Sequence, residues 1–164
     1  MSQPRISGLQ PGKAAPRSSA VTLWRQKTMT VNSPVSKIDN FLSQEKYALF
    51  GMSRAGDKFG NKVYRNLTSK GYRVFPIHPA ADNIQGITCW PNLAALPEKV
   101  DGAVIVVPPE QTEVIVEKLA EADIRRVWMQ PGAESRKAIQ YCEEKGMSVI
   151  YQECVMMLSE RKGS

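Results

Sequence analysis

The feature of this chain that most restricts its fold is a repeated alternation of short, uninterrupted apolar runs with stretches of helical period. Tyr47-Ala48-Leu49-Phe50 is followed by a helical pattern over residues 60–70 with Val63, Tyr64 and Leu67 on one face. Tyr72 to Ile77 and the short run Ile87-Thr88-Cys89-Trp90 come next, with a short helix at Leu93 to Leu96. Val100 to Val107 precedes a helix over Glu110 to Ala122 with Val114, Ile115 and Leu119 inward. Val127-Trp128-Met129 precedes a helix over 134–145 with Ala138, Ile139 and Cys142 inward, and Met147 to Tyr151 closes the series. Strands that are apolar at every position, not at alternate ones, are buried on both faces. With short connections and intervening helices, they predict an α/β fold: a doubly wound, mostly parallel, Rossmann-like sheet with helices on both faces. A barrel of eight such units needs roughly 250 residues, more than the 164 present.

Charge divides the chain. Residues 1–38 carry Arg5, Lys13, Arg17, Arg25, Lys27 and Lys37 and no acid, whereas the other 126 residues hold 16 basic and 16 acidic side chains. The net charge of +6 therefore belongs to the N-terminal segment, and composition alone does not demand a nucleic-acid groove in the folded part. Residues 1–34 are rich in Ser, Pro, Gly, Arg and Lys and are expected to be a disordered basic tail, or an artefactual extension before Met29. The folded domain is expected over 35–160, opening with a helix at Ile38, Phe41 and Leu42 that Ser36 would cap. No run approaches the length of a membrane span. Three cysteines without a CxxC pair, and His78 as the single histidine, argue against a disulfide framework or a metal site. The expected location is cytoplasmic, with organelle import through the tail left open.

In an open parallel sheet, ligands bind beyond the carboxyl ends of the strands. The first strand exits into Gly51-Met52-Ser53-Arg54-Ala55-Gly56-Asp57-Lys58-Phe59-Gly60-Asn61. Three glycines, two cations and a following helix start suit a phosphate, although the spacing matches neither a dinucleotide fingerprint nor a Walker loop. The alternative is a loop that only connects. The second strand exits through Pro76-Ile77-His78-Pro79, with no acid before Asp82. An NAD site normally holds the ribose 2′-hydroxyl with an acid there, so a nucleotide with an extra ribose phosphate fits better, His78 and its flanking prolines lying near the adenosine. A plain loop histidine is the other reading. Val107 and Pro108 form either an apolar wall or a simple helix start, and Gln130 stands at another strand tip. No pairing of nucleophile and base is evident, so no catalytic residue is assigned.

Taken in order, Ala48 to Ser53, Lys58-x-Gly60, Gly71-Tyr72-x-Val74-x-Pro76-x-His78-Pro79, Ile84-x-Gly86, Asp101-x-x-Val104-Ile105, Val107 to Glu110 and Trp128 to Ser135 resemble the CoA-binding-domain family. Its members here would be stand-alone relatives of the N-terminal domain of the succinyl-CoA synthetase alpha subunit. The resemblance runs from about Val35 to Glu160. It implies a domain that binds coenzyme A or acyl-CoA, with no chemistry of its own. Phosphates would lie at Gly51, Met52, Ser53, Lys58, Phe59, Gly60 and Asn61, and the adenosine near Pro76, His78 and Pro79. Val107, Pro108 and Gln130 would complete the pocket. The alternatives are an NADP-dependent oxidoreductase or a component of a CoA-ligase system. Membrane and nucleic acid are not expected partners; a protein partner or a homo-oligomer stays open.

Overall fold

In the computed structural model the described residues are 34–56 and 58–158, with the backbone alone described for Pro34, Val35 and Leu158. The tail expected over 1–34 therefore lies, Pro34 excepted, outside the described residues. The chain divides into two units, Met1–Ser36 and Lys37–Ser164, and every described strand belongs to the second. Helix α1 (Pro34–Leu42) begins before the boundary, so Ser36 sits within its first turn and does not cap it.

Five strands form one sheet: β1 (Lys46–Phe50), β2 (Arg73–Ile77), β5 (Gly102–Ile105), β6 (Arg126–Met129) and β7 (Ser148–Ile150). All are parallel and ordered β2-β1-β5-β6-β7. Between β2 and β5, the short strand expected over 87–90 is β4 (Ile87–Thr88), and it pairs antiparallel with β3 (Asn83–Ile84), a strand that the sequence pattern did not mark. A 3-10 turn over Leu93–Ala95 follows. The remaining helices among the described residues are α2 (Phe59–Ser69), α3 (Pro109–Glu121), α4 (Arg136–Glu144) and the short α5 (Val155–Leu158). No described helix is long and apolar enough to cross a membrane.

The strand residues divide by parity between two cores, as the two-residue repeat of a strand requires. Ala48, Phe50, Phe75, Ile105, Val127 and Met129 pack beneath Val116 and Leu119 of α3 and Ala138 and Cys142 of α4. Tyr47, Leu49, Val74, Val104, Trp128 and Ile150 pack on the other face with Phe41 of α1, Val63 and Leu67 of α2, and Val155 of α5. The sheet is thus covered on both sides, which is why its strands read as unbroken apolar runs. One helix is rotated from expectation: Val114 is 52% exposed, and the face of α3 turned to the sheet is Thr112, Val116 and Leu119.

Candidate functional site

The sheet's register sets the site. Phe50 pairs with Ile77 on one side and Ile105 on the other, and Ile105 pairs with Met129. The next residues, His78, Gly51, Val106 and Gln130, therefore leave the sheet as a row along its carboxyl edge. With strands ~4.8 Å apart, this row is roughly 14 Å long. The connection from β1 goes to β2 on one side and the chain returns to β5 on the other, so the order reverses between β1 and β5. In this strand order the crevice at that reversal is where ligands bind.

Two glycines make the crevice. At Gly51, with φ +129°, a Cβ would stand 2.8 Å from the Val106 carbonyl carbon. At Gly60 a Cβ would stand 2.6 Å from the Gly51 carbonyl carbon and 3.0 Å from the Met52 nitrogen. The first turn of α2 is thereby seated against the tip of β1, and β1 against the exit of β5. Lys58 is the N-cap of α2 and makes no side-chain capping bond. The first α2 amides, those of Phe59 and Gly60, have no acceptor within the helix, as at any helix start. Arg54 and Lys58 are exposed beside them.

The loop is tied from within. The Ser53 N–H donates to Asn61 Oδ1 at 2.9 Å, and Asn61 Nδ2 donates to the Ser53 carbonyl at 3.1 Å. The Ala55 N–H donates to Ser53 Oγ at 3.0 Å. Asn61 is fully buried, so its side chain faces the loop and not the crevice. Across the row, the half-buried His78 accepts the Ala80 N–H on Nδ1 at 3.0 Å. A neutral ring then carries its proton on Nε2, which is left as a donor. The His78 N–H donates to the Trp90 carbonyl, and the Trp90 N–H to the Pro76 carbonyl. Trp90, which sequence reasoning placed merely at the end of a strand, thus extends the sheet beside β2 and holds its exit; its ring meets Phe75 edge-on.

The thirteen residues expected at the site fall into two groups. Gly51, Ser53, Lys58, Phe59, His78, Pro79, Val107 and Pro108 lie at least partly exposed along the carboxyl edge, on the exits of β1, β2 and β5. Met52, Gly60, Asn61, Pro76 and Gln130 are buried. Met52 belongs to the core, Pro76 lies within β2, and Gly60 is a packing position. Gln130 accepts the Val155 N–H on Oε1 at 2.7 Å and donates from Nε2 to Cys154 Sγ at 3.4 Å, so its carboxamide supports the C-terminal segment. The buried thiols are poor nucleophiles: burial pushes Cys89 up and Cys142 up to about 12. Among the described residues, no group of three or more metal-ligating side chains occurs.

Comparison with known proteins gives this geometry a family. Residues 45–160 match the CoA binding domain. The Bacillus subtilis (strain 168) uncharacterized protein YneT is 26% identical over 76% of this chain and 93% of its own length. The Archaeoglobus fulgidus acetate–CoA ligase (ADP-forming) I is 27% identical over 68% of this chain, which spans only 18% of that enzyme. Among solved structures, a conserved hypothetical protein from Pyrococcus furiosus is 36% identical, with a TM-score of 0.65 over 69% of this chain and 97% of that one. By the match that covers every strand and the whole carboxyl edge of the sheet, this chain belongs to the CoA binding domain family.

Proposed function

We propose that this domain binds coenzyme A, or an acyl-CoA, in the crevice at the carboxyl ends of β1, β2 and β5, and that it carries out no reaction by itself. The observation that carries the reading is the seating of Gly60 on Gly51, which brings the start of α2 to the point where the strand order reverses. There the helix dipole, backbone amides and the Lys58 and Arg54 charges favour a diphosphate. The β2 exit supplies the second half. With no acid before Asp82 and an Nε2–H donor on His78, it suits a phosphorylated ribose better than a free 2′-hydroxyl.

Thermal unfolding with coenzyme A, 3′-dephospho-coenzyme A, NAD and NADP at matched concentrations tests this. At a hundred times its dissociation constant, a ligand adds ~2.7 kcal/mol, a rise of roughly 5–11 °C for a domain of this size. Coenzyme A should give that rise and the dephospho form a smaller one. A shift with NADP alone would make the domain part of an oxidoreductase, and no shift with any of the four would end the proposal.

A second reading is favoured by the match to the acetate–CoA ligase, of which the chain spans under a fifth. On that reading the domain is the CoA-holding component of a ligase completed by other domains or subunits. Acyl-CoA formation that appears only when such a partner is added would select it.

A further inference from the structure

We propose that Asn61 is a positioning residue for the coenzyme loop: its carboxamide sets the Ser53 backbone against the start of α2 and makes no contact with the ligand. The inference rests on the reading that this loop takes the diphosphate of coenzyme A.

Ser53 lies three residues past the last residue of β1, Phe50. At that point an exiting strand has left its ladder, and its peptide groups must find water, a ligand or a side chain. Asn61 supplies both partners from one group, accepting the Ser53 N–H at 2.9 Å and donating to the Ser53 carbonyl at 3.1 Å. A carboxamide presents the same donor and acceptor as a peptide, so the pair replaces a rung of sheet. Because Asn61 is 0% exposed, its end of both bonds is shielded from water. One residue earlier, Gly60 packs on Gly51 without a Cβ. Two adjacent residues of α2 therefore grip the loop at two points, Gly51 and Ser53. Beyond them Arg54, Ala55 and Gly56 are exposed, and Lys58 is the N-cap of α2. The first residues of the loop are held by α2 itself, so the helix amides and the peptides of residues 51–53 keep one fixed relation to any anion between them. A ligand then meets a loop already in place, and the ordering cost of binding falls.

Two near-isosteric variants test the role. Asn61→Leu keeps the volume and removes both bonds. Asn61→Asp keeps the shape, and its bonding pattern depends on protonation. A neutral carboxyl accepts from the Ser53 N–H and donates to the Ser53 carbonyl, as the amide does. An ionised one faces that carbonyl with no proton to give, and it places a negative charge beneath the anion site. Coenzyme A dissociation constants would be measured by calorimetry from about pH 5 to about pH 8, each as a ratio to the unsubstituted protein at the same pH. Asn61→Leu should bind roughly tenfold to a hundredfold more weakly throughout. Asn61→Asp should approach the unsubstituted protein at the pH where its carboxyl is protonated, with a ratio that does not fall as pH rises. Thermal unfolding checks that each variant is folded, and exchange of the Ser53 amide without ligand should speed up in Asn61→Leu. Unchanged binding by a folded Asn61→Leu would overturn the inference. So would an Asn61→Asp variant as weak as Asn61→Leu at a pH where its carboxyl is shown by NMR titration to be protonated, since the bonding pattern would then be irrelevant. If the unsubstituted protein itself fails to bind coenzyme A, the functional reading fails first and the positioning role falls with it.

Discussion

Gly60→Ala adds a single methyl group where the structure has no room for one. The new carbon would stand 2.6 Å from the Gly51 carbonyl carbon and 3.0 Å from the Met52 nitrogen. Both are backbone atoms at the tip of a buried central strand, so neither can swing aside as the end of a side chain would. The Gly51 carbonyl oxygen would stand closer still, and ordinary contact starts at 3.4 Å, so the first turn of α2 must lift by more than the roughly 0.8 Å between 3.4 and 2.6. Overpacking of this kind costs about 1–3 kcal/mol, and the rigidity of the two partners puts this case in the upper half of the range. At ~2–4 °C per kcal/mol for a domain near this size, the midpoint of thermal unfolding should fall by about 4–12 °C. The lift also pulls Asn61 from Ser53, so coenzyme A affinity should fall with stability. Gly56→Ala is the control. Its Cβ would meet nothing within 4 Å, and its φ of +105° leaves only backbone strain, about 1–2 kcal/mol. A Gly60→Ala midpoint within about 1 °C of the unsubstituted protein would refute the seating of α2 on β1 and the site geometry built on it.

Two further outcomes rest on single side chains. Lys58→Ala removes an exposed cation from the start of α2 and should weaken coenzyme A by about 1–3 kcal/mol through loss of a charge-assisted phosphate contact; calorimetry on the folded variant reads it, and an unchanged constant would remove Lys58 from the site. Burial raises the Cys142 thiol from 9.0 to about 12, so the folded protein keeps a proton that the unfolded chain releases. Its contribution is present below pH 9 and is lost on rising toward 12, with a slope of up to ~1.4 kcal/mol per pH unit. Chemical unfolding across that window should show the decline, and it should be shallower in Cys142→Ala; equal slopes would assign the loss to other groups, such as the buried Tyr47 hydroxyl, which burial also raises.

The fold was legible because burial on both faces leaves a simple trace. Tyr47 to Phe50 are all buried, and such a run has no polar alternation to confuse it with a one-sided strand. Helix phase was less legible where a polar residue joined the buried stripe. Thr112 is fully buried, its hydroxyl directed to the Pro108 carbonyl at 3.4 Å. A satisfied hydroxyl can lie in the core at little cost, yet in the sequence it looks like the outer face. Counting it outward turns Val114 inward, whereas Val114 is exposed. The carboxyl edge of the sheet was legible at the level of strand exits, since glycine, proline and histidine punctuate the apolar runs. Which polar side chains stay exposed along that edge was not.

Asn61 and Gln130 show why. Both are carboxamides beside a strand exit, and both have the chemistry to hold a coenzyme. Both are fully buried, and each pairs with groups of its own chain: Asn61 with Ser53, Gln130 with Val155 and Cys154. The reason is common to parallel sheets. Every strand ends with peptide groups that have left the ladder while still lying near the core, where an unpaired group costs about 1–3 kcal/mol. A neutral side chain with one donor and one acceptor satisfies them without bringing a charge inside. Support of the exits and recognition of the ligand thus draw on the same residue types at the same edge, and burial separates them. In this chain Asn61 supports the exit of β1 and Gln130 the C-terminal segment beside the exit of β6, whereas Lys58, Arg54 and His78 are at least partly exposed along that edge, where the proposed ligand would meet them.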